Sequence, residues 1–146
     1  MKKQAILIPL LLILSSCSNT GMKNRDAMSL VSDGIIQSEQ FGLMWQQDDS
    51  KLFTNASEAQ KYADNLILGG FSDWRIPTKA ESHNLYFSLD FGKTMAKELH
   101  MKIDRSMWVK LDDGKMVPGS WDAGETCCIV RTFKKDTHAR VRAVRP

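Results

Sequence analysis

Residues 68–78 read Leu68-Gly69-Gly70-Phe71-Ser72-Asp73-Trp74-Arg75-Ile76-Pro77-Thr78 and combine several features that fix local structure. The two glycines permit a sharp chain reversal because they adopt backbone conformations that other residues avoid. Trp74 is an apolar anchor for a core, and Pro77 biases the residue before it away from helix. Arg75 is placed to bond loop carbonyls or a carboxylate such as Asp73 or Glu81. We interpret the segment as a structural connection that holds two helices to a sheet.

A helix is predicted on each side of this connection. Asn55, with Glu58 three residues later, has the pattern of a capping box, and apolar residues then recur at helical spacing. Gly69-Gly70 is expected to close this first helix. Thr78 and Glu81 repeat the capping-box pattern at the start of the second helix.

Strands are predicted mainly after the helices. The segments with strand character are residues 41–45, 107–111, 127–133 and 138–145, and a third, weaker helix is predicted over residues 95–100. Helices followed by a small antiparallel sheet indicate the α+β class, with two main helices packed on that sheet.

Residues 41–146 resemble the Lcl C-terminal domain family, which is named after a bacterial collagen-like adhesin. The resemblance rests on the segment Gly-Gly-Phe-Ser-Asp-Trp-Arg-Ile-Pro-Thr at 69–78, on residues 42–46, on the Trp108 strand and on residues 141–145. It implies a C-type-lectin-like fold, related to that of the formylglycine-generating sulfatase-modifying factors. It also implies binding rather than catalysis, because the adhesin's domain binds sulfated glycans and assembles as a trimer.

The chain departs from that family in two respects. Family members often carry cysteine where this chain has Ala63 and Ala143, which is consistent with the loss of one disulfide as a unit. No collagen-like Gly-X-Y tract is present, so trimerisation by that route is not expected.

The N-terminus has the pattern of an export signal. Two lysines precede the apolar residues 5–14, a run too short to cross a bilayer core of ~30 Å as a permanent helix. Leu14-Ser15-Ser16-Cys17 resembles the lipobox of bacterial lipoproteins, which implies cleavage after residues 1–16 and acylation of Cys17, with palmitate as a typical acyl group. An ordinary secretory signal is the alternative. Because Ser18 is not aspartate, the resemblance favours the outer membrane, with the periplasmic or surface face left open.

The remaining chain divides into a tether and a domain. Residues 17–40 are interpreted as the lipidated cysteine and a flexible tether, with a short ordered stretch around 27–36, and residues 41–146 as the domain. Removing residues 1–16 leaves 130 residues, with 18 lysines and arginines against 17 acidic residues. A net charge of about +1 does not indicate nucleic-acid binding.

Two adjacent cysteines, Cys127 and Cys128, remain after the signal. Neighbouring Cα atoms lie ~3.8 Å apart, whereas disulfides prefer ~4.4–6.8 Å. Two thiols on opposite faces of a strand are therefore favoured over a strained vicinal disulfide, and a link to another chain is a further alternative.

Basic residues gather near the C-terminus. The candidate contacts for an anionic ligand are Arg131, Arg140, Arg142 and Arg145, and Arg140 and Arg142 are predicted to project from one sheet face. Such a face could bind sulfate, phosphate or uronate through charge-assisted hydrogen bonds. A merely solvated strand face with acidic partners is the favoured interpretation.

Catalytic patterns are not found in the sequence. The three histidines lack metal-ligand spacing, and no Gly-x-Ser-x-Gly elbow occurs, so no metal, cofactor or catalytic residue is predicted. We therefore expect a lipid-anchored, non-enzymatic envelope module that recognises an anionic glycan or an envelope protein. The alternatives are a structural subunit of an envelope complex and, more remotely, a thiol oxidoreductase at Cys127-Cys128.

Overall fold

The computed structural model describes residues 27–91, 93–102, 105–123 and 131–146. The strands are β1 (Met28–Ser32), β2 (Ile35–Ser38), β3 (Leu43–Gln46), β4 (Leu52–Phe53), β5 (Met107–Lys110), β6 (Met116–Ala123), β7 (Arg131–Lys135), β8 (Ala139–Arg140) and β9 (Val144–Arg145). The helices are α1 (Ala56–Asp64), α2 (Lys79–Phe91) and α3 (Lys93–Glu98). The protein is thus a mixed structure of strands and a few helices, compatible with the predicted α+β class.

The first sheet joins β1, β2, β3 and β9 in that order, and all neighbouring pairs are antiparallel. Ile35 and Ile36 in β2 are buried, and so is Trp45, which lies opposite Ile36 in β3. The ordered stretch predicted around residues 27–36 within the tether is the β1–β2 hairpin, which extends to Ser38 and is part of the first sheet. Polar residues surround the two isoleucines in sequence, and the hairpin is stabilised by pairing with β3 rather than by a local pattern.

The second sheet has the order β4-β8-β5-β6-β7. Its described pairs are antiparallel except for β5 and β8, which run parallel with Met107 opposite Arg140. The structure therefore has two sheets where one small antiparallel sheet was predicted.

The predicted strand over residues 138–145 is divided between the two sheets. Its first part, β8, pairs in the second sheet and its last part, β9, pairs in the first. Residues 141–143 connect them and are buried. The connection between β3 and β4 forms backbone hydrogen bonds with this link. For example, the Ser50 N–H donates to the Val141 carbonyl at 2.9 Å. An exposed alternating face, as predicted for this segment, does not form.

Helix α1 begins at the predicted cap, where Asn55 Oδ1 accepts the Glu58 N–H at 2.9 Å. The helix ends earlier than predicted, because Asn65 caps it and donates from Nδ2 to the Lys61 carbonyl at 2.7 Å. Gly69-Gly70 therefore belongs to a separate turn and does not close α1.

Helix α2 begins with a complete capping box. Thr78 Oγ1 accepts the Glu81 N–H at 3.1 Å, and Glu81 Oε2 accepts the Thr78 N–H at 2.8 Å. This confirms the predicted start of the second helix. Helix α3 overlaps the predicted third helix but ends at Glu98.

The core lies on both faces of the first sheet. Ile35 belongs to a cluster formed with α1 and the second sheet, whereas its neighbour Ile36 belongs to a cluster formed with α2 and α3. Successive residues of a strand project to opposite faces, so both faces of the sheet are covered. Trp74 and Trp108 fill the first cluster, and Trp45 fills the second.

The Gly69-Gly70 turn packs on the first sheet. The two glycines have φ of 61° and 81°, in the left-handed region, and Leu68 and Phe71 exchange backbone hydrogen bonds of 3.1 Å across them. A Cβ at Gly69 would come within 2.3 Å of Ile35 Cδ1, while a Cβ at Gly70 would meet nothing within 4 Å. Only Gly69 is therefore needed both for its backbone conformation and for close packing.

We expect Gly69→Ala to destabilise the fold clearly more than Gly70→Ala. Both variants place a side chain on left-handed backbone, which costs about 1–2 kcal/mol. Gly69→Ala also overpacks the buried Ile35, which adds about 1–3 kcal/mol. Urea denaturation followed by tryptophan fluorescence would measure the difference, and equal effects of the two variants would contradict this packing.

Candidate functional site

Four basic residues and one aspartate line a small cavity between the two sheets. The members are Asp49 after β3, Lys102 after α3, Arg105 before β5, Arg140 in β8, and Arg142 in the link between β8 and β9. We call this group the Asp49 cluster. The cluster is supplied by three chain segments, at residues 49, 102–105 and 140–142, which are more than 30 residues apart, so the tertiary fold brings them together.

The acid at its centre is bonded by two arginines. Arg105 Nη1 donates to the Asp49 carboxylate at 3.3 and 3.4 Å, and Arg140 Nε lies 3.8 Å from Asp49 Oδ2. Arg140 Nη1 also donates to the Ser50 carbonyl at 2.6 Å. About a third of each arginine side chain is exposed, at 37% for Arg105 and 31% for Arg140. Both guanidinium groups can therefore contact a ligand while Asp49 keeps them in place.

Arg142 has a different role, because it is only 1% exposed. Its Nη1 donates to the carbonyls of Gln46, at 2.9 Å, and Gln47, and its Nη2 donates to the Lys102 carbonyl at 3.0 Å. Burial lowers the pKa of this guanidinium, and the negative charge of Asp49 opposes that shift. The prediction that Arg142 projects from an exposed face and contacts an external anion is therefore wrong, since its donors are used inside the protein.

The cluster forms a shallow surface and not a deep pocket. The cavity among its members has a volume of about 10 Å³, which is room for one water molecule at most. An anionic group would instead contact the outer edges of Arg105 and Arg140 and the exposed Lys102. Four cations and Asp49 line the cavity, and Asp48 also acts electrostatically on Arg142, so the positive charges outnumber the negative ones.

Arg145 does not line this cluster, and Arg131 begins β7, at one edge of the second sheet. Arg145 lies in the first sheet and donates to the Asp73 carboxylate at 2.6 and 3.0 Å. This hydrogen bond lowers the pKa of Asp73, and the Arg145 guanidinium stacks 3.8 Å from the centre of the Phe71 ring. Arg131 lies opposite Ala123 in the second sheet.

The motif residues stabilise the fold, as their interpretation predicts. Trp74 and Pro77 are buried. Arg75 forms a bidentate pair with Glu81, with distances of 2.7 and 2.8 Å, and this hydrogen bonding lowers the pKa of the Glu81 carboxyl. Of the partners left open for Arg75, the structure shows the Glu81 carboxylate and also the Ile76 carbonyl, at 3.4 Å from Nη1, while Asp73 pairs with Arg145.

A larger polar groove lies beside this ion pair. Its volume is about 610 Å³, and it runs between the motif and the β5–β6 turn, lined by Gln60, Arg75, Thr78, Lys110 and Asp113 among others. Positive and negative side chains are mixed along it, so it has no single charge preference. It is a weaker candidate for an anion than the Asp49 cluster.

Sequence reasoning missed Asp49, Lys102 and Arg105 as members of a site. Asp49 follows the first predicted strand and Arg105 directly precedes the next one, so each stands at the end of a buried segment. Polar residues at the ends of predicted strands are candidates for a shared site. The parallel pairing of β5 with β8, which brings Arg105 close to Arg140, is not visible in the sequence. Cys17, Cys127 and Cys128 lie outside the described residues.

No protein family, curated protein or solved structure matches this chain. In the part of the chain that the structure describes, no three His, Cys, Asp or Glu side chains form a group able to hold a metal ion. No helix within that part is both long and apolar enough to cross a membrane.

Proposed function

We propose that this protein is a lipid-anchored, non-enzymatic binding module of the bacterial outer membrane that recognises anionic glycans. The main support is the Asp49 cluster, in which Arg105 and Arg140 both form ion pairs with the Asp49 carboxylate and remain partly exposed. Sulfate, phosphate and uronate groups are planar or tetrahedral oxyanions that guanidinium donors bind through paired hydrogen bonds.

The proposed anchor is supported by the sequence alone. Cys17 ends a basic and apolar export signal, and two or more acyl chains on such a residue hold a protein stably at a membrane surface. The described domain begins with β1, eleven residues after Cys17. This spacing places a folded binding surface near the envelope without a spanning helix.

We further propose that the domain is of the Lcl C-terminal type with a C-type-lectin-like fold. Ala63 and Ala143, where relatives in that family often carry cysteine, are both fully buried in the same core cluster. A disulfide between these two positions would need them to lie in one region of the core, and their shared cluster supports the resemblance. The paired Arg75 and the buried Trp74 give the shared motif a structural purpose.

The proposed glycan contact predicts weaker binding when the exposed guanidinium groups are removed. The double variant Arg105→Gln, Arg140→Gln should elute from a sulfated-polysaccharide column at lower salt than the natural protein. Two exposed charge contacts of up to about 1 kcal/mol each correspond to a loss of affinity of up to about thirtyfold. Arg142 is left intact in this variant because its replacement would disturb the fold.

A matched control removes two charges elsewhere. Lys61 and Lys115 are exposed and lie away from the Asp49 cluster. Their sequence neighbours Gln60 and Gly114 line the polar groove, which is at the Lys110 end of β5, whereas the cluster is at the Met107 end. Lys61→Gln, Lys115→Gln has the same net charge as the test variant and should elute close to the natural protein. Equal shifts for both double variants would show net-charge attraction only and would contradict a site at the Asp49 cluster.

A further inference from the structure

Large apolar side chains are exposed at one end of the first sheet. Their exposed fractions are 47% for Val31, 75% for Ile67 and 36% for Phe71. We call these three residues the apolar rim. Leu30 is also exposed, but it lies opposite Ile36 and so projects from the other face of the sheet. Single exposed apolar residues are ordinary on protein surfaces, whereas a group of them is typical of an interaction site.

Contacts between two turns bring the rim together. A Cβ built on Gly34, in the β1–β2 turn, would lie 3.2 Å from Leu68 Cδ1, and one built on Gly69 would lie 3.6 Å from Ser32 Oγ. The 68–71 turn is therefore seated on the β1–β2 turn. Val31 immediately precedes the first turn and Ile67 immediately precedes the second, so they flank the same contact.

The rim also occupies a sheet edge. β1 is the outer strand of the first sheet, and its register shifts between Leu30 and Ser32, which leaves Val31 as an unpaired bulge residue. Natural edge strands are protected by several devices, and a β-bulge is one of them. Here the bulge residue is an exposed valine, so an apolar side chain is available for contact at this edge.

The chain that leads to β1 limits what can cover it. Met28 begins β1, eleven residues after Cys17. Even when fully extended, a chain of eleven residues spans at most ~40 Å, and as a coil it spans ~20 Å. An acylated Cys17 would therefore hold the edge that carries the rim close to the bilayer at all times.

We propose that the apolar rim docks on the lipid surface beside the anchor and fixes the orientation of the domain. This inference rests on the proposed acylation of Cys17. Isoleucine, valine and phenylalanine side chains enter the boundary between headgroups and acyl chains. The acyl anchor provides the affinity for the membrane, and the apolar rim determines which face of the domain contacts the lipid.

Quenching by brominated lipids tests this contact in the full-length acylated protein. Val31→Trp and Leu52→Trp form a matched pair, because both native side chains are 47% exposed but Leu52 lies in the second sheet. Each variant, and Ile67→Trp, is reconstituted into vesicles of phosphatidylethanolamine and phosphatidylglycerol with or without acyl-brominated phosphatidylcholine. Val31→Trp and Ile67→Trp should lose emission beyond the natural protein in brominated vesicles, and Leu52→Trp should not.

A second arm separates docking from acylation. The same variants are made with Cys17→Ser and an N-terminal hexahistidine segment, and are held on nickel-chelating lipid in the same vesicles. Quenching confined to the rim positions in this arm supports docking even if mass spectrometry finds natural Cys17 unmodified, a result that would count against the proposed anchor alone. Equal quenching at all three positions, or none at any, overturns the proposal. A concentration-dependent emission change in detergent would assign the rim to a second copy and would also overturn it.

Discussion

Arg142→Ala is expected to lower the free energy of unfolding by about 3–5 kcal/mol, the cost typical of removing one partner from a buried charged network. The natural guanidinium donates to three backbone carbonyls, those of Gln46, Gln47 and Lys102. Alanine would leave these acceptors without their donor and open a cavity at a fully buried position. Since small domains have only about 5–15 kcal/mol of stability, this variant should be severely destabilised.

Urea denaturation of purified variants measures this effect. Arg142→Lys is the first control, because one ammonium cannot reproduce the fork that reaches three carbonyls, and an intermediate loss is expected. Arg105→Ala is the second, because its partly exposed ion pair should contribute about 1 kcal/mol or less. Similar stabilities for Arg142→Ala and Arg105→Ala would contradict the structural role of Arg142.

The second large effect concerns location. Cys17→Ser, expressed behind an ordinary cleavable secretory signal, should move nearly all of the protein from the membrane fraction to the soluble fraction. Each acyl methylene buried in lipid contributes ~0.8 kcal/mol, so loss of the proposed acyl chains would remove the dominant membrane affinity. The apolar rim alone is too small to replace it. Membrane sedimentation followed by immunoblotting measures the distribution.

A double variant provides the matched control for this experiment. Cys127→Ser, Cys128→Ser removes the other two thiols of the chain and leaves Cys17 in place. It should remain in the membrane fraction. If Cys17→Ser also remains there, the membrane is reached through another contact and the proposed anchor is wrong.

Local signals predicted the helix starts because caps depend on residues only three positions apart. Thr78 and Glu81 exchange the two predicted hydrogen bonds, and Asn55 caps α1 as expected. The motif interpretation also held where it was local, since Arg75 needs only the nearby Glu81 for a partner.

Features that depend on distant pairing were not predictable in the same way. The β1–β2 hairpin contains Ile35 and Ile36 within a polar stretch, and only β3 and the two core clusters explain their burial. The alternation from Ala139 to Arg145 suggested a half-exposed strand. In the structure this segment passes from the second sheet to the first. The β3–β4 connection forms backbone hydrogen bonds with it, and residues 141–143 are buried rather than half-exposed.

The candidate site shows the same limit. Arg140 was predicted from its charge, but its partner Asp49 lies about 90 residues earlier in the chain. A count of charges can indicate an anionic ligand. It cannot tell that the Arg142 guanidinium donates to backbone carbonyls in the interior. It also cannot tell that Arg105, which no sequence pattern indicates, shares the Asp49 carboxylate with Arg140.

Mass spectrometry of the protein extracted from native membranes tests the proposed anchor most directly. The account predicts a mature chain that begins at Cys17, with an N-terminal peptide whose mass is raised by a diacylglycerol group and an amide-linked acyl chain. An unmodified Cys17, or a mature chain that begins at any other residue, would contradict it.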